Sequence, residues 1–170
     1  LASGASYGIV SDCIYTGTLV DGDATALLKC VKNNQLAAST PTAFTPVLKI
    51  GGSVTGITYS RQYGNYVING NVVTGTINIL LTSKGAQTGA LTITGLPRTA
   101  SNVSWCDGSM CASEWTTQGM GVASPTGRIV YNTSEISLRV AASSASRSMV
   151  DTDITDYFLL MATFTYLIDI

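Results

Sequence analysis

The sequence predicts an all-β domain, a sandwich or barrel, over residues 44–170. Short segments in which apolar and polar residues alternate are typical of half-buried strands. Turn signals rich in Gly and Asn separate these segments at short spacing, which is the pattern of sandwiches and barrels. The chain shows no internal repeat and no heptad pattern, so neither a repeat protein nor a coiled coil is indicated.

The first predicted strands are "PVLKI" (46–50), which ends at the turn Gly51-Gly52, and "VTGITYSRQYGNYVI" (54–68). Asn69-Gly70 then separates 54–68 from "VVTGTINILLT" (72–82). This pair predicts a hairpin, because Asn and Gly both accept positive φ. Alternation in 72–82 predicts that one face carries Ile77, Ile79 and Leu81, and the other Thr76, Asn78 and Leu80.

Four further strands are predicted in the second half of the chain. They are "ALTITGL" (90–96), with Leu91 and Ile93 inward, "GRIVYN" (127–132), "EISLRVA" (135–141) and "FLLMATFTYLIDI" (158–170). One face of the last strand is predicted to carry Phe158, Leu160, Ala162, Phe164, Tyr166 and Ile168. A helix over 157–161 is the alternative, but the alternation Thr-Phe-Thr-Tyr argues against it.

Residues 1–43 are predicted to form an N-terminal appendage that differs from the rest. "DGDATALLKCVKNN" (21–34) favours a short helix capped by Asp21 or Asp23, although its Val and Cys residues suit a strand equally well. "AASTPTAFTP" (37–46) contains two prolines and is predicted to be an extended loop. Because the first residue is Leu, we expect the chain to be part of a longer polypeptide.

The charge content restricts the possible functions. Charged residues make up 11% of the chain, against about 25% in a typical soluble domain. Such a surface is covered by polar uncharged residues or is buried against other subunits. The net charge is −1 and the basic residues are scattered, which argues against nucleic-acid binding. No apolar run is long enough to span a membrane, so membrane insertion is not predicted.

The residue types also restrict the chemistry. The chain has no histidine, so a Ser-His-Asp or Cys-His site cannot be built from it alone, and we predict no catalytic residues. Its cysteines lack the paired short spacing of a zinc site, and free, mostly buried thiols are favoured over a disulfide between Cys106 and Cys111. The four cysteines are Cys13, Cys30, Cys106 and Cys111. We predict no metal and no cofactor.

Two segments contain patterns that occur in ligand sites. In "SKGAQTG" (83–89) Lys84 precedes Gly85, which is the wrong order for a phosphate loop, and a strand follows instead of a helix. This segment is therefore predicted to connect two strands. Asp151, Asp153 and Asp156 have a spacing that suits calcium, but no EF-hand glycine or closing glutamate follows, so a solvated turn is favoured.

Residues 44–100 carry an ordered set of motifs. The set begins with Pro46 and Leu48 and continues with Gly51-Gly52, Thr58-Tyr59, Gly64 with Tyr66, Asn69-Gly70, Ser83-Lys84-Gly85, Thr88-Gly89 and Gly95-Leu96-Pro97. In this order it resembles a module found at the C-terminal ends of bacteriophage tail fibres and tailspikes. The match covers about a third of the chain, and "ITDYFLLMATFTYLI" (154–168) resembles the closing strand of that module more loosely.

The resemblance implies an antiparallel β-sandwich of jelly-roll type, usually a homotrimer, at the host-facing end of the tail. It implies a role in trimerisation, in binding a bacterial surface polysaccharide, or in both. It further implies a virion protein made in the host cytoplasm, with any depolymerase activity in an upstream β-helix. The low charge of this chain agrees with a surface that is buried in a trimer.

The stretch "VSWCDGSMCASEWTTQGMG" (103–121) is the predicted recognition region. It contains both tryptophans and reads as a long loop or ribbon, and aromatic rings together with polar groups are the side chains that bind sugars. The candidate glycan-binding residues are Trp105, Asp107, Glu114, Trp115 and Gln118. The alternative for the tryptophans is packing in the core or at a subunit interface. A second candidate platform consists of Tyr59, Tyr63 and Tyr66, for which packing on the sheet is favoured.

Three functional hypotheses follow. The first is a non-catalytic receptor-binding domain that trimerises and binds host glycan. The second is a structural trimerisation cap without receptor affinity. The third is a glycan hydrolase that uses Asp107 and Glu114, whose separation the sequence does not define.

Overall fold

The computed structural model describes residues 40–102, 108–116, 125–141 and 145–169. These residues form strands and one short 3₁₀ turn (Asp151–Asp153), and this part of the chain contains no α-helix. The strands are β1 (Thr42–Phe44), β2 (Val47–Ile50), β3 (Thr58–Asn69), β4 (Val72–Ser83), β5 (Leu91–Thr94), β6 (Gly108–Trp115), β7 (Pro125–Ile129), β8 (Ile136–Ala141), β9 (Ser146–Ser148) and β10 (Leu159–Leu167).

The strands form one antiparallel sheet that curls into a half-barrel. Their spatial order is β1-β3-β4-β10-β6-β7-β8-β5-β2, and β9 pairs with β8. The prediction of an all-β, antiparallel fold is therefore confirmed, while the jelly-roll topology and the trimer remain predictions. Within the described residues, no helix is long and apolar enough to cross a membrane.

Side chains join β2 and β3, which lie far apart in the strand order. The backbone N–H of Leu48 on β2 donates to the Tyr59 hydroxyl on β3 at 3.0 Å. The Gln62 amide on β3 donates to the Pro46 carbonyl at 3.1 Å. Burial raises the pKa of Tyr59, so its hydroxyl stays protonated. The curl of the sheet thus brings β2 against β3, although the two strands do not pair through backbone hydrogen bonds.

The interior of the half-barrel follows the alternation that the sequence predicts. On β4, Ile77, Ile79 and Leu81 are buried, and on β5 Leu91 and Ile93 are buried. On the closing strand, the predicted face is buried from Phe158 to Tyr166, and Ile168 is half-buried. Full burial of one large apolar side chain contributes about 1.5–3 kcal/mol, so these strands supply a large share of the core.

Two glycines make room for aromatic rings in this core. Gly64 on β3 lies opposite Phe44, and Gly75 on β4 lies opposite Phe164. A Cβ at either glycine would overlap the facing ring. The two phenylalanine rings meet edge to face with centroids 5.8 Å apart, an arrangement that aromatic pairs favour. The Phe44 ring also meets Tyr66 edge to face with centroids 6.1 Å apart, so Gly64 and Tyr66 of the motif both lie against Phe44.

The turns agree with the sequence, apart from a shift of one residue in the hairpin loop. Gly51 and Gly52 both have positive φ, as the predicted turn requires. Gly70 has a φ of 59°, but Asn69 pairs with Val72 as the last residue of β3. The predicted hairpin between β3 and β4 is therefore confirmed, and its two-residue loop is Gly70-Asn71, one residue later than Asn69-Gly70.

Three strands were not predicted. β1 lies within 37–46, which the prolines indicated to be a loop, and β9 is only three residues long. β6 lies within the stretch interpreted as a loop or ribbon, because its fully buried residues are only Met110 and Ala112. The predicted helix at 21–34 lies outside the described residues, and the boundary at residue 43 remains a prediction.

Candidate functional site

The structure describes two of the five predicted glycan-binding residues, Glu114 and Trp115, at the end of β6. Trp115 lies opposite Leu160, is half-buried and packs against the core. Glu114 lies opposite Met161 and is exposed. The strand therefore presents the two side chains to opposite faces of the sheet. Trp105, Asp107 and Gln118 lie outside the described residues, so the separation of Asp107 and Glu114 is not defined.

A β-bulge determines these orientations. On β10, Met161 pairs with Glu114 and the next residue, Ala162, pairs with Ala112. Ser113 is thus the extra residue, and its hydroxyl donates to the Met161 carbonyl at 3.1 Å. Because a bulge changes which residues face outward, Ala112 and Trp115 both face the core although they are three residues apart.

An exposed tyrosine adjoins the end of β6. The Thr116 hydroxyl donates to the Tyr157 carbonyl at 3.2 Å and accepts from the Leu159 N–H at 2.8 Å. Tyr157 has a φ of 67° and its side chain is 71% exposed. We call Glu114, Trp115, Thr116 and Tyr157 the aromatic edge. Sequence analysis missed Tyr157, because no local pattern distinguishes it from an ordinary residue before a strand.

The three clustered tyrosines do not form one platform. Ser60 is an extra residue between the pairs Tyr59–Leu81 and Arg61–Leu80. This irregularity reverses the alternation, so Tyr59 packs against the core while Tyr63 is 51% exposed on the outer side. Tyr66 also packs inward, so the favoured packing on the sheet is confirmed for Tyr59 and Tyr66, and the three rings do not share a face.

The outer sides of β3, β4, β10 and β6 form a surface that we call the uncharged face. The strand registers place its residues in three cross-strand rows. The rows are Tyr63–Asn78–Met161–Glu114, Asn65–Thr76–Thr163–Cys111 and Val67–Thr74–Thr165–Ser109. Glu114, at the β6 end of its row, is the single acidic or basic side chain in these rows, and Arg61 lies at the border of the face. Cys111 is an exposed free thiol, so the prediction of a buried thiol is wrong at this position.

Asn78 is an unusual polar residue within the uncharged face. It is only 8% exposed, and its Oδ1 is buried without a hydrogen-bond partner in the described part of the chain. An acceptor left in this state costs about 1–3 kcal/mol. The neighbouring Thr74 and Thr165 hydroxyls, by contrast, bond to each other at 3.3 Å.

The other half of the sheet, formed by β2, β5, β7, β8 and β9, carries charge and ion pairs, and we call its outer side the charged face. Lys49 pairs with Glu135 at 3.0 Å. Arg147 donates two hydrogen bonds of 2.6 Å to Asp153. The Arg147 guanidinium holds the pKa of the Asp153 carboxyl below its ordinary value. This half also carries the exposed Arg128.

The aspartates that suggested calcium each have a partner within the chain. Asp151 accepts from the Gly89 N–H at 2.8 Å, and Asp156 accepts from the Lys84 N–H at 2.8 Å. Asp153 is buried in its pair with Arg147, so the interpretation of a solvated turn is wrong for this residue. The described residues contain no group of three or more acidic or cysteine side chains arranged to hold a metal.

The connection between β4 and β5 is a structural tie. The Lys84 ammonium donates to the Asp151 carbonyl at 2.9 Å. Gly85 and Gly89 have positive φ, as a connection between strands allows. Lys84 therefore holds the segment before β10 against this connection, as the interpretation of a strand connection predicts.

Comparison with known proteins identifies the fold. No protein-family model matches the chain, and no curated protein matches it either. Among solved structures, the crystal structure of the Dettilon tailspike protein is similar to this chain, with a TM-score of 0.66 and 18% sequence identity. The similarity covers 77% of this chain and 24% of that protein. The fold described above is therefore shared with part of a phage tailspike.

Proposed function

We propose that this chain is a receptor-binding module of a phage tail fibre or tailspike, located on the virion tail, which trimerises and binds a bacterial surface glycan. The shared fold with a tailspike protein is the observation that carries the proposal. The ordered motifs of residues 44–100 support it independently. In this proposal the module lies at the C-terminal end of the fibre or spike and has no catalytic role.

The uncharged face is the surface proposed for trimerisation. Interface centres are depleted in charged residues, and the three cross-strand rows on this face contain one, Glu114, at the end of a row. Tyr63 supplies an exposed aromatic ring, a residue type that is enriched in interfaces. A neighbouring subunit would supply the donor that the Asn78 carbonyl oxygen lacks within the described chain.

The aromatic edge is the surface proposed for glycan binding. Aromatic rings stack on the C–H surfaces of sugars, and carboxylates accept hydrogen bonds from hydroxyl groups. Tyr157 and Glu114 are exposed and suit these two roles. Trp115, which packs against the core, would hold the end of β6 in place. Trp105, Asp107 and Gln118 remain candidates because they flank this strand in sequence.

Two measurements on the intact chain test the proposal. Size exclusion with light scattering is expected to give about three times 17.7 kDa. On an array of bacterial surface polysaccharides, Tyr157→Ala is expected to weaken binding about tenfold, which corresponds to about 1.4 kcal/mol. Tyr157→Phe should retain binding, because the ring remains. Glu114→Gln is compared with Glu135→Gln, a matched change that leaves the aromatic edge intact.

The alternatives predict different results. A structural trimerisation cap would give the trimer mass and no glycan binding. A hydrolase would release reducing ends from host polysaccharide, and Glu114→Gln would abolish that release. A monomer at all concentrations, or Tyr157→Ala and Glu114→Gln variants that both bind like the wild type, would contradict the proposal.

A further inference from the structure

A groove of about 740 Å³ opens at one end of the half-barrel, away from the sites described above. The β3–β4 turn, the segment after β5, the turn between β7 and β8 and the residues after β10 form its walls. Its volume falls within the range of small-molecule sites. Its polar side chains are Arg98, Thr99, Asn132, Ser134 and Asp169.

Backbone hydrogen bonds fix the walls of the groove relative to one another. The Ala100 N–H donates to the Thr133 carbonyl at 2.7 Å, and the Asn132 N–H donates to the Ala100 carbonyl at 3.0 Å. The Ile168 N–H donates to the Asn71 carbonyl at 2.9 Å. The Ser101 N–H donates to the Leu167 carbonyl at 2.8 Å and joins these two pairs of segments. The four segments are thus tied together before any ligand binds, which lowers the entropic cost of binding.

Tyr166 holds the backbone of Arg98 from inside the core. Its hydroxyl donates to the Arg98 carbonyl at 2.9 Å and accepts from the Arg98 N–H at 3.2 Å. Burial raises the pKa of Tyr166 to about 12. The hydroxyl is therefore protonated at neutral pH, and both hydrogen bonds persist there.

The groove holds two opposite charges that do not pair with each other. The Asp169 carboxylate accepts from the Ser101 hydroxyl at 2.7 Å, which fixes its position. The Arg98 guanidinium makes no hydrogen bond or ion pair within the described residues. A guanidinium binds carboxylates with two parallel hydrogen bonds. A ligand between the two side chains therefore needs an acidic group for Arg98 and a hydroxyl group for Asp169.

We propose that this groove binds a carboxylate-bearing sugar. Arg98 pairs with the sugar carboxylate, Asp169 accepts a hydrogen bond from a ring hydroxyl, and Asn132 and Ser134 bond to the remaining hydroxyls. The inference rests on the proposed function for the class of ligand, a glycan, and it adds a second site and the acidic character of the sugar bound there.

The test uses two matched probes, methyl glucuronide and methyl glucoside, which differ at a single carbon. In an amide NMR titration of the full chain, we expect saturable shifts from the glucuronide at residues 96–100, 132–134 and 168–169. The glucoside should bind at least about tenfold more weakly, because it lacks the group that pairs with Arg98. Higher salt concentration should weaken only the glucuronide.

Variants separate recognition from folding. Arg98→Gln is expected to weaken glucuronide binding about tenfold and to leave glucoside binding unchanged. Arg61→Gln, a matched change at an exposed arginine on another strand, should have no effect. Equal binding of both glycosides, shifts outside the groove, or an Arg98→Gln variant that binds like the wild type would overturn the inference. Equal competition by inorganic phosphate would also overturn it, because the groove would then be a general anion site.

The two proposals fail in different ways. If the groove inference alone is wrong, polysaccharide binding still depends on Tyr157 and the glucuronide titration is flat. If the proposed function alone is wrong, the polysaccharide array shows no binding while the glucuronide still titrates the groove and Arg98→Gln weakens it.

Discussion

The uncharged face and the charged face belong to one sheet and share one core, yet their outer residues differ in kind. Inward residues of both halves are buried apolar side chains, such as Ile79 on β4 and Leu138 on β8. Outward residues are mainly Thr, Asn and Ser in one half, whereas the other carries Lys49, Arg128 and Arg147. The few charged residues of the chain are therefore concentrated on one half of the sheet. This is expected if the uncharged face is buried against another subunit and only the charged face stays in water.

The largest effect is expected from a charge placed in the centre of the uncharged face. Thr76 is exposed in the middle row, between Asn65 and Thr163. Thr76→Glu is expected to reduce the mass by light scattering from three subunits to one, because the carboxylate would lose its hydration in the interface. The control is Thr126→Glu on β7, an exposed threonine of the charged half. Loss of the trimer in both variants, or in neither, would contradict the assignment of the interface.

The next effect concerns the core that the two halves share. Gly75 lies under the Phe164 ring, and Gly127 lies between Met110 and Ile136. Gly75→Ala and Gly127→Ala are each expected to lower the free energy of unfolding by about 1–3 kcal/mol, because the added Cβ overpacks the interior. Urea denaturation measures this loss. If either substitution leaves the free energy of unfolding unchanged, the packing around that glycine is looser than the structure indicates.

A smaller effect is expected at Asn78. In the Thr76→Glu background, which is expected to be monomeric, Asn78→Leu should raise the free energy of unfolding by about 1 kcal/mol, because a buried acceptor without a partner is removed. In the wild-type background the same change should weaken the trimer, measured as dissociation on dilution. Asn65→Leu, at an exposed amide on the same face, is the control. Destabilisation of the monomer by Asn78→Leu would show that the Asn78 amide is already satisfied there.

The smallest effect belongs to the charged face and depends on pH. Arg147 holds the pKa of Asp153 below its ordinary value of 3.8. The pair therefore stabilises the fold above that value, and its contribution is lost as the pH falls through the lower pKa of the folded state. Arg147→Gln should lower the urea midpoint at pH 7, and its difference from the wild type should shrink below about pH 4. Arg139 bonds only to Ser146 among the described residues, so the effect of Arg139→Gln should not change with pH in this way.

Sequence analysis predicted the core well where alternation is unbroken. On β4 and β10 every second residue is apolar, and the predicted inward faces are buried. It failed where a bulge changes the alternation, at Ser60 and Ser113. A bulge depends on the neighbouring strand, and the sequence of one strand does not reveal its neighbours.

The surfaces were harder to predict than the core. The uncharged face needs the order β3-β4-β10-β6, in which strands distant in sequence become neighbours. The groove likewise combines Arg98 with Asp169, which the fold brings together from separate parts of the chain. The aromatic edge was predicted in part, because Glu114 stands beside a tryptophan, whereas Tyr157 joins it only through the pairing of β6 with β10.

The side chains that join β2 to β3 have a consequence for how copies of this chain can associate. An exposed strand edge offers free N–H and C=O groups to which further strands can add without limit. Here the Tyr59 hydroxyl and the Gln62 amide already occupy the Leu48 N–H and the Pro46 carbonyl. Strand addition at that edge is therefore blocked within each molecule, and association through β2 would first require these two side chains to be displaced.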